Sequence, residues 1–317
     1  MSTWTAGLDV GGSKVLGVLL EDGLLRRTVR LPSVPGVDGV VGTAEDAVRQ
    51  LCREQGVEVT ALRGVGVGLP GMVDVVTGEV SHAVNLGLAG AVPVARPLTD
   101  RLGVPVALEN DLNAAALGAA TVLGLHGDLA FLSLGTGVAA GLLLDGRLRR
   151  GHSGAAGEIG HLPYDLDGDV CPCGQRGCLE LYASGAAIAG AWRGPAGVPP
   201  AAALFDAAAA GDVDAVAVRT VFTDAVATAV QVLVQTCDVE HVVIGGGVAQ
   251  LGFPLLVAVR RSLAARTAGS PFLASLALAD RVQVARPELL VAPIGAALAA
   301  AVPPDRAPEE AVVEVGR

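Results

Sequence analysis

The chain is short of positive charge. Its 22 Lys and Arg face 32 Asp and Glu, a formal net charge of −10. That balance argues against a nucleic-acid binder, because such binding rests on Lys and Arg contacts to phosphate. No basic run is present to hold a membrane surface. The apolar runs are broken by Gly, Asp or Arg before they reach ~18 residues, so no membrane-spanning helix is expected. Met1-Ser-Thr-Trp4 leads straight into a strand-like run, so no secretory leader is expected either. Aromatic residues are only 3%. A GC-rich genome produces that bias without a functional cause, so it excludes nothing. Cysteine is scarce too, and two of the five, Cys52 and Cys237, lie far apart in helical patterns. They read as buried free thiols in a reducing cytoplasm. With 51% hydrophobic residues over 317 positions, the chain is globular and long enough for two domains with a large core.

The other three cysteines fall within eight residues, in Cys171-Pro-Cys173-Gly-Gln-Arg-Gly-Cys178-Leu-Glu180, with Gly160-His161 ten residues upstream. Three thiolates and one imidazole complete a closed tetrahedral zinc site of the structural kind, with no position open to water or substrate. Glu158 precedes this loop and Glu180 ends it. A zinc that staples a loop bordered by carboxylates is placed to hold a substrate pocket open.

The pattern along the chain is α/β. Short strands are expected at Ala6–Val10, Val15–Leu20 and Leu24–Arg30, an antiparallel meander with glycine turns. A helix over Asp38–Arg53, strands at Val65–Leu69 and Val104–Leu108 and an alanine-rich helix over Asp111–Leu123 follow. A second meander covers Leu129–Leu134, Val138–Leu144 and Arg147–Leu148. Beyond Leu179 the chain reads as mostly helical, with strands at Val242–Ile244 and Arg281–Ala285 and a closing helix over Pro293–Ala301. Gly11-Gly12 and Gly135-Thr136-Gly137 each join two strands. This weak internal repeat points to two similar α/β domains facing a cleft.

Asp9-Val-Gly11-Gly12-Ser13-Lys14 lies between two strands. It is either an ordinary hairpin turn or a turn whose amides face phosphate, with Asp9 holding a hydrated magnesium ion. Gly135-Thr136-Gly137 repeats the geometry, and two matched turns favour a nucleotide over either turn alone. Gly66-Val-Gly68-Leu-Pro-Gly71 has dinucleotide-fingerprint spacing, but a strand and turn follow it instead of a helix, so that reading is rejected. Glu109-Asn110-Asp111-Leu-Asn113 ends a strand and starts a helix. One such residue suffices for an N-cap, and the run of polar groups adds a carboxylate at the sheet edge able to accept a proton. Glu158 and His161, three apart, suit sugar hydroxyls. Gly245-Gly246-Gly247 follows a strand and lets a flat ring such as adenine approach the backbone.

Together these residues resemble the ROK family of bacterial sugar kinases, from Leu8 to about Leu298. The most specific segments are Leu132-Ser-Leu-Gly-Thr-Gly-Val-Ala-Ala-Gly141, Gly157-Glu-Ile-Gly-His161 and Cys171 to Glu180. The resemblance implies a two-domain actin-like, hexokinase-like ATPase (ribonuclease-H-like) fold with a cleft. Residues 1–110 would form the smaller domain, rejoined by a C-terminal helix at about 299–317, and residues 111–298 the larger, zinc-bearing one. It implies ATP, magnesium and structural zinc as cofactors, and a homodimer or homotetramer. By position, Asp9 to Lys14 matches the first phosphate loop, with Ser13 where Thr is usual. Gly135 to Gly137 matches the second, and Gly245 to Gly247 the adenosine region. Asp111 matches the catalytic base, and Asn110, Glu158, His161 and Glu180 the sugar ligands. His161 joins Cys171, Cys173 and Cys178 as zinc ligand. Asn85-Leu-Gly-Leu-Ala-Gly90 matches a loop bordering the sugar, but lacks the aromatic that many family glucokinases carry there.

The implied activity is transfer of the ATP γ-phosphoryl to a hexose hydroxyl, O6, with glucose the leading substrate. N-acetylmannosamine or an amino-sugar such as kanosamine is the runner-up. A family repressor would need a winged-helix domain ahead of the first phosphate loop, where this chain has eight residues before Asp9. A silent sugar or zinc module is disfavoured by the Asn110-Asp111 pair and both loops.

Overall fold

The structure, a computed structural model, describes residues 2–286 and 288–301. Strands β1 (Trp4–Val10), β2 (Lys14–Glu21) and β3 (Leu24–Pro32) form an antiparallel meander. After α1 (Val37–Gln55), β4 (Leu62–Leu69) returns parallel to β1. A small sheet of β5 (Met72–Asp74), β6 (Glu79–Ser81) and β7 (Val92–Pro93) and helix α2 (Ala95–Leu102) then intervene. Strand β8 (Val106–Asn110) joins parallel to β4, giving the order β3-β2-β1-β4-β8.

Helix α3 (Asp111–Leu123) leads to β9 (Leu129–Leu134), β10 (Val138–Leu144) and β11 (Arg147–Leu148), again antiparallel. The cysteine loop and α4 (Glu180–Ala183), α5 (Gly185–Ala191), α6 (Pro200–Ala209) and α7 (Val213–Cys237) follow. Strand β12 (His241–Gly245) lies parallel to β9. After α8 (Phe253–Thr267) and α9 (Pro271–Ser275), β13 (Val282–Val284) lies parallel to β12, and α10 (Val291–Ala301) ends the described chain. The second order is β11-β10-β9-β12-β13. Both sheets share one order and one pattern of strand directions, so the repeated glycine turn is the local trace of a duplicated five-strand unit.

Most expected elements are present with ends shifted by one or two residues. The shift that matters is at β8, which runs to Asn110 instead of stopping at Leu108. Glu109 and Asn110 continue the ladder opposite Gly68 and Leu69, because pairing with β4 overrides their low strand propensity. Strand β5 is the strand expected after Gly71, whereas β6, β7 and α2 had no expectation of their own. Helix α7, at 25 residues, is long and apolar enough to cross a membrane, contrary to the expectation from broken runs. Its Phe222, Val226 and Val230 are buried in the core of the second half, as in a core helix. Cys52 is buried as expected, but Cys237, at the end of α7, is only half-buried.

Helix α10 crosses back onto the first sheet, lying against β1 and β4 as well as α3. Most of the 299–317 stretch expected to rejoin the first half lies outside the described residues. The approach is close enough to require glycine. A Cβ on Gly66 would collide with the Ala296 carbonyl, and one on Gly295 with that of Ala114. The spaced glycines of β4 thus serve helix packing, consistent with rejecting the dinucleotide reading. Gly295→Ala is expected to destabilise the protein by about 1–3 kcal/mol through overpacking. A chemical-denaturation midpoint unchanged by that substitution would contradict the close approach.

Candidate active site

The β8–α3 junction carries the central carboxylate. Asn110 caps α3: its Oδ1 accepts from the N–H groups of Leu112 at 3.0 Å and Asn113 at 3.2 Å. Its Nδ2 donates to the Gly71 carbonyl at 3.1 Å, which leaves a second amide hydrogen for a ligand. Asp111, the first residue of α3, accepts from Leu112 N–H at 2.9 Å. Burial pushes its carboxyl up to about 6, against the lowering effect of that N–H and with added repulsion from Glu158. Asp9, near the end of β1, is pushed up to about 7, chiefly by burial and then by Asp111, with Lys14 opposing.

Asp9 and Asp111 line one cavity of about 250 Å³, together with Ser133, Gly246 and the start of α10 at Val291 to Pro293. The two carboxylates therefore share one cavity, and the charge of Asp111 helps to raise Asp9. Such a pair suits a divalent cation beside a proton acceptor: the cation relieves the repulsion and oxygen ligands are what magnesium takes.

The two glycine turns follow strands that line this cavity, β1 through Asp9 and β9 through Phe131 and Ser133. Gly11 N–H donates to the Lys14 carbonyl at 3.0 Å, and Gly135 N–H to the Gly137 carbonyl at 3.0 Å. Gly12, Ser13, Lys14 and Thr136 are exposed, so both turns present amides and hydroxyls to solvent. Asn85 is exposed and its backbone lies against the first turn, where a Cβ on Gly12 would come within 2.8 Å of the Asn85 carbonyl. Of the third glycine run, Gly246 lies on the Leu134 backbone and lines the Asp9–Asp111 cavity. Gly245 is filled against by Phe131, and Gly247 is open.

Glu180 ties the cysteine loop to the second turn. Its Oε2 accepts from Val138 N–H at 2.9 Å, and a Cβ on Gly137 would collide with that same oxygen. Glu158 and His161 come from a segment pinned along β10. Ala140 N–H donates to the Gly157 carbonyl at 2.8 Å. Gly157, at φ 93°, and Gly160 lie so close to β10 carbonyls that a Cβ would collide at either.

The ligand atoms of His161, Cys171, Cys173 and Cys178 all lie within 4.8 Å of one another. Cys173 Sγ and Cys178 Sγ are 3.6 Å apart, and Cys171 Sγ is 3.9 Å from His161 Nδ1. Zinc–sulfur bonds of ~2.3 Å in a tetrahedron place sulfurs about 3.8 Å apart, so donor set and spacing both fit zinc. The Nδ1 atom faces the thiols, which leaves Nε2 as the free ring nitrogen. The loop holds its shape through Cys171 N–H to Gln175 carbonyl at 2.7 Å and a bridge between Pro163 and Cys178.

One pair was not legible as a pair in the sequence. Glu109, buried at the end of β8, takes the guanidinium of Arg150, which follows β11. Glu109 belonged to a polar run and Arg150 to an unremarkable Arg-Arg-Gly, and 41 positions separate them. No periodicity links residues so far apart.

Two glycine turns, two opposed carboxylates and a duplicated sheet joined by crossing helices define an α/β protein of the actin-like, hexokinase-like ATPase class. Residues 5–286 match the profile of the ROK family, and the chain belongs to that family. It is 37% identical over 187 residues to a glucokinase of Streptomyces coelicolor, a match covering 58% of this chain and 57% of that enzyme. The chain therefore spans little more than half of that relative. It is 34% identical over 263 residues to an N-acetylmannosamine kinase of Citrobacter koseri, covering 82% of this chain and 88% of the relative. The fold superposes on a ROK family glucokinase from Streptomyces griseus, crystallised with glucose and AMPPNP, with a TM-score of 0.75 at 28% identity. That likeness covers 94% of this chain and 99% of that one.

Proposed function

We propose that the chain is an ATP-dependent sugar kinase that transfers the γ-phosphoryl to a hexose hydroxyl, O6, with glucose the leading substrate. The observation that carries this reading is the shared cavity: Asp111 at the β8–α3 junction faces Asp9 beside the first glycine turn. Asp111 accepts the proton of the attacking hydroxyl. Asn110, through its remaining amide hydrogen, and Glu158, His161 and Glu180 orient the ring, with the Asn85 loop at its border. The exposed Gly12, Ser13 and Lys14 of the first turn and Thr136 of the second hold the phosphates, Gly11 and Gly135 shape the turns through their own hydrogen bonds, and Gly245 to Gly247 flank the adenosine. Magnesium, when bound at Asp9, neutralises charge on the phosphates; positioning and charge stabilisation supply most of the catalysis in such transfers. Zinc, held by His161, Cys171, Cys173 and Cys178, is structural.

A second reading, an N-acetylmannosamine or amino-sugar 6-kinase, is favoured by the missing aromatic after Asn85 and by the Citrobacter relative. A coupled ADP-release screen over hexoses and amino-hexoses tests both. Glucose is expected to give the highest kcat/KM. A tenfold advantage for an amino-hexose would select the second reading, and no sugar-dependent ADP release from any member would sink the kinase reading.

The proposed protein works in the cytoplasm, as a homodimer or homotetramer, with smaller and larger domains of residues 1–110 and 111–298 closing over the sugar. Closure excludes water from the phosphoryl group and so suppresses ATP hydrolysis.

A further inference from the structure

Glu109 has 3% of its side chain exposed, and it stands directly before the Asn110-Asp111 pair. Each of its oxygens is engaged. Oε1 accepts from Asn110 N–H at 3.0 Å and from Asn113 Nδ2 at 3.1 Å. Oε2 accepts from Arg150 Nε at 3.0 Å and Nη2 at 2.5 Å. The carboxylate therefore grips the first turn of α3 on one side and the guanidinium on the other.

Arg150 belongs to the other half of the duplicated fold. It follows β11 and opens the loop that leads to Glu158 and His161. Its carbonyl accepts from Ala156 N–H at 3.2 Å, which closes that loop at its base. One residue thus holds the Glu158–His161 loop by its main chain and the Asn110-Asp111 corner by its side chain. The two groups proposed to meet one substrate share this fastening, beside the direct packing of α3 on β10.

We propose that Arg150 is a positioning residue: through Glu109 it sets the Asp111 corner in register with the loop that carries Glu158 and His161. This rests on the sugar-kinase reading for its kinetic consequence, but not for its structural one. The fork geometry matters, because a guanidinium engages a carboxylate through a planar set of donors and an ammonium is a point charge. Lysine at this position keeps the charge balance around Glu109 and loses the fork.

The test uses the full chain with ATP, magnesium and either glucose or the best amino-hexose of the screen. Arg150→Lys is expected to melt near the wild type yet to lose about 10²-fold in kcat/KM for the sugar, the cost of a displacement near 1 Å. Its KM for ATP should stay unchanged. Arg150→Met leaves Glu109 buried with no counter-charge and its Oε2 unpartnered, so it is paired with Glu109→Gln/Arg150→Met, which removes that charge. The double variant should fold and show the same kinetic loss. In it the amides of Leu112, Asn113 and Ala156 should exchange with solvent faster together. Wild-type kinetics in Arg150→Lys or in the double variant would overturn the proposal. So would activity losses that only track the folded fraction. If the wild type phosphorylates no sugar, the kinase reading alone fails and exchange decides: joint loss of protection supports the fastening, and unchanged protection at either segment refutes it.

Discussion

Replacing Asp111 with alanine is expected to lower kcat by about 10²–10⁴-fold, the usual contribution of general-base catalysis. The loss should be chemical and not structural. Asp111 accepts the Leu112 N–H, but Asn110 Oδ1 accepts that same hydrogen and the Asn113 N–H as well, so the helix keeps its cap. The zinc ligands lie in a separate loop and should stay loaded. A variant that kept most of its turnover would remove Asp111 as the base.

The same residue sets a pH dependence. Its folded value is raised to about 6 by burial and by Glu158. A base must be unprotonated to accept the hydroxyl proton, so kcat/KM should stand at half its plateau near pH 6 and level off about one unit higher. Below pH 6, kcat/KM should fall about tenfold per unit. The residual rate of Asp111→Ala should lack this limb. A wild-type profile flat down to pH 4.5 would contradict the assignment.

Cys173→Ser is expected to lose zinc and to weaken sugar use together, by about 10–100-fold in kcat/KM, the range seen when support of a metal site is removed. Cys173 is exposed, so its replacement costs little packing and isolates the metal's contribution. The path to the sugar is short. Cys178 stands two residues before Glu180, whose carboxylate is held by Val138 N–H at the second glycine turn. His161 belongs to the same proposed ligand set, and a metal held at its Nδ1 would fix the tautomer and aim of Nε2. Elemental analysis alongside steady-state kinetics reads both effects. A zinc-free variant with normal sugar kinetics would break the proposed link between loop and pocket.

Much of this was legible because it is local. The alternation in β1, β2, β9 and β10 marks strands on its own, and the glycines between them mark turns. Three cysteines within eight residues and one histidine need only a loop to meet. Glu109, Asn110 and Asp111 stood out as a polar run at a strand end, although pairing with β4 carried β8 two residues further than propensity indicates. The rest was hidden for a common reason. Gly137 must be small because Glu180 reaches it from another element, and Gly66 because α10 crosses β4. Viewed in sequence, these were glycines in or near strands.

The α/β class, the repeated unit, the histidine–cysteine cluster and the residue types of the site could be read from the order of amino acids alone. Their chemistry and spacing survive without knowing what lies across the fold. Packing alone brings Asp9 and Asp111 to one cavity, ties the Asn110 amide to the Gly71 carbonyl and fastens Glu109 to Arg150 from the other half. Contacts between residues tens of positions apart leave no periodic mark, because they depend on how two sheets and the helices α3 and α10 pack and not on any local preference of the backbone.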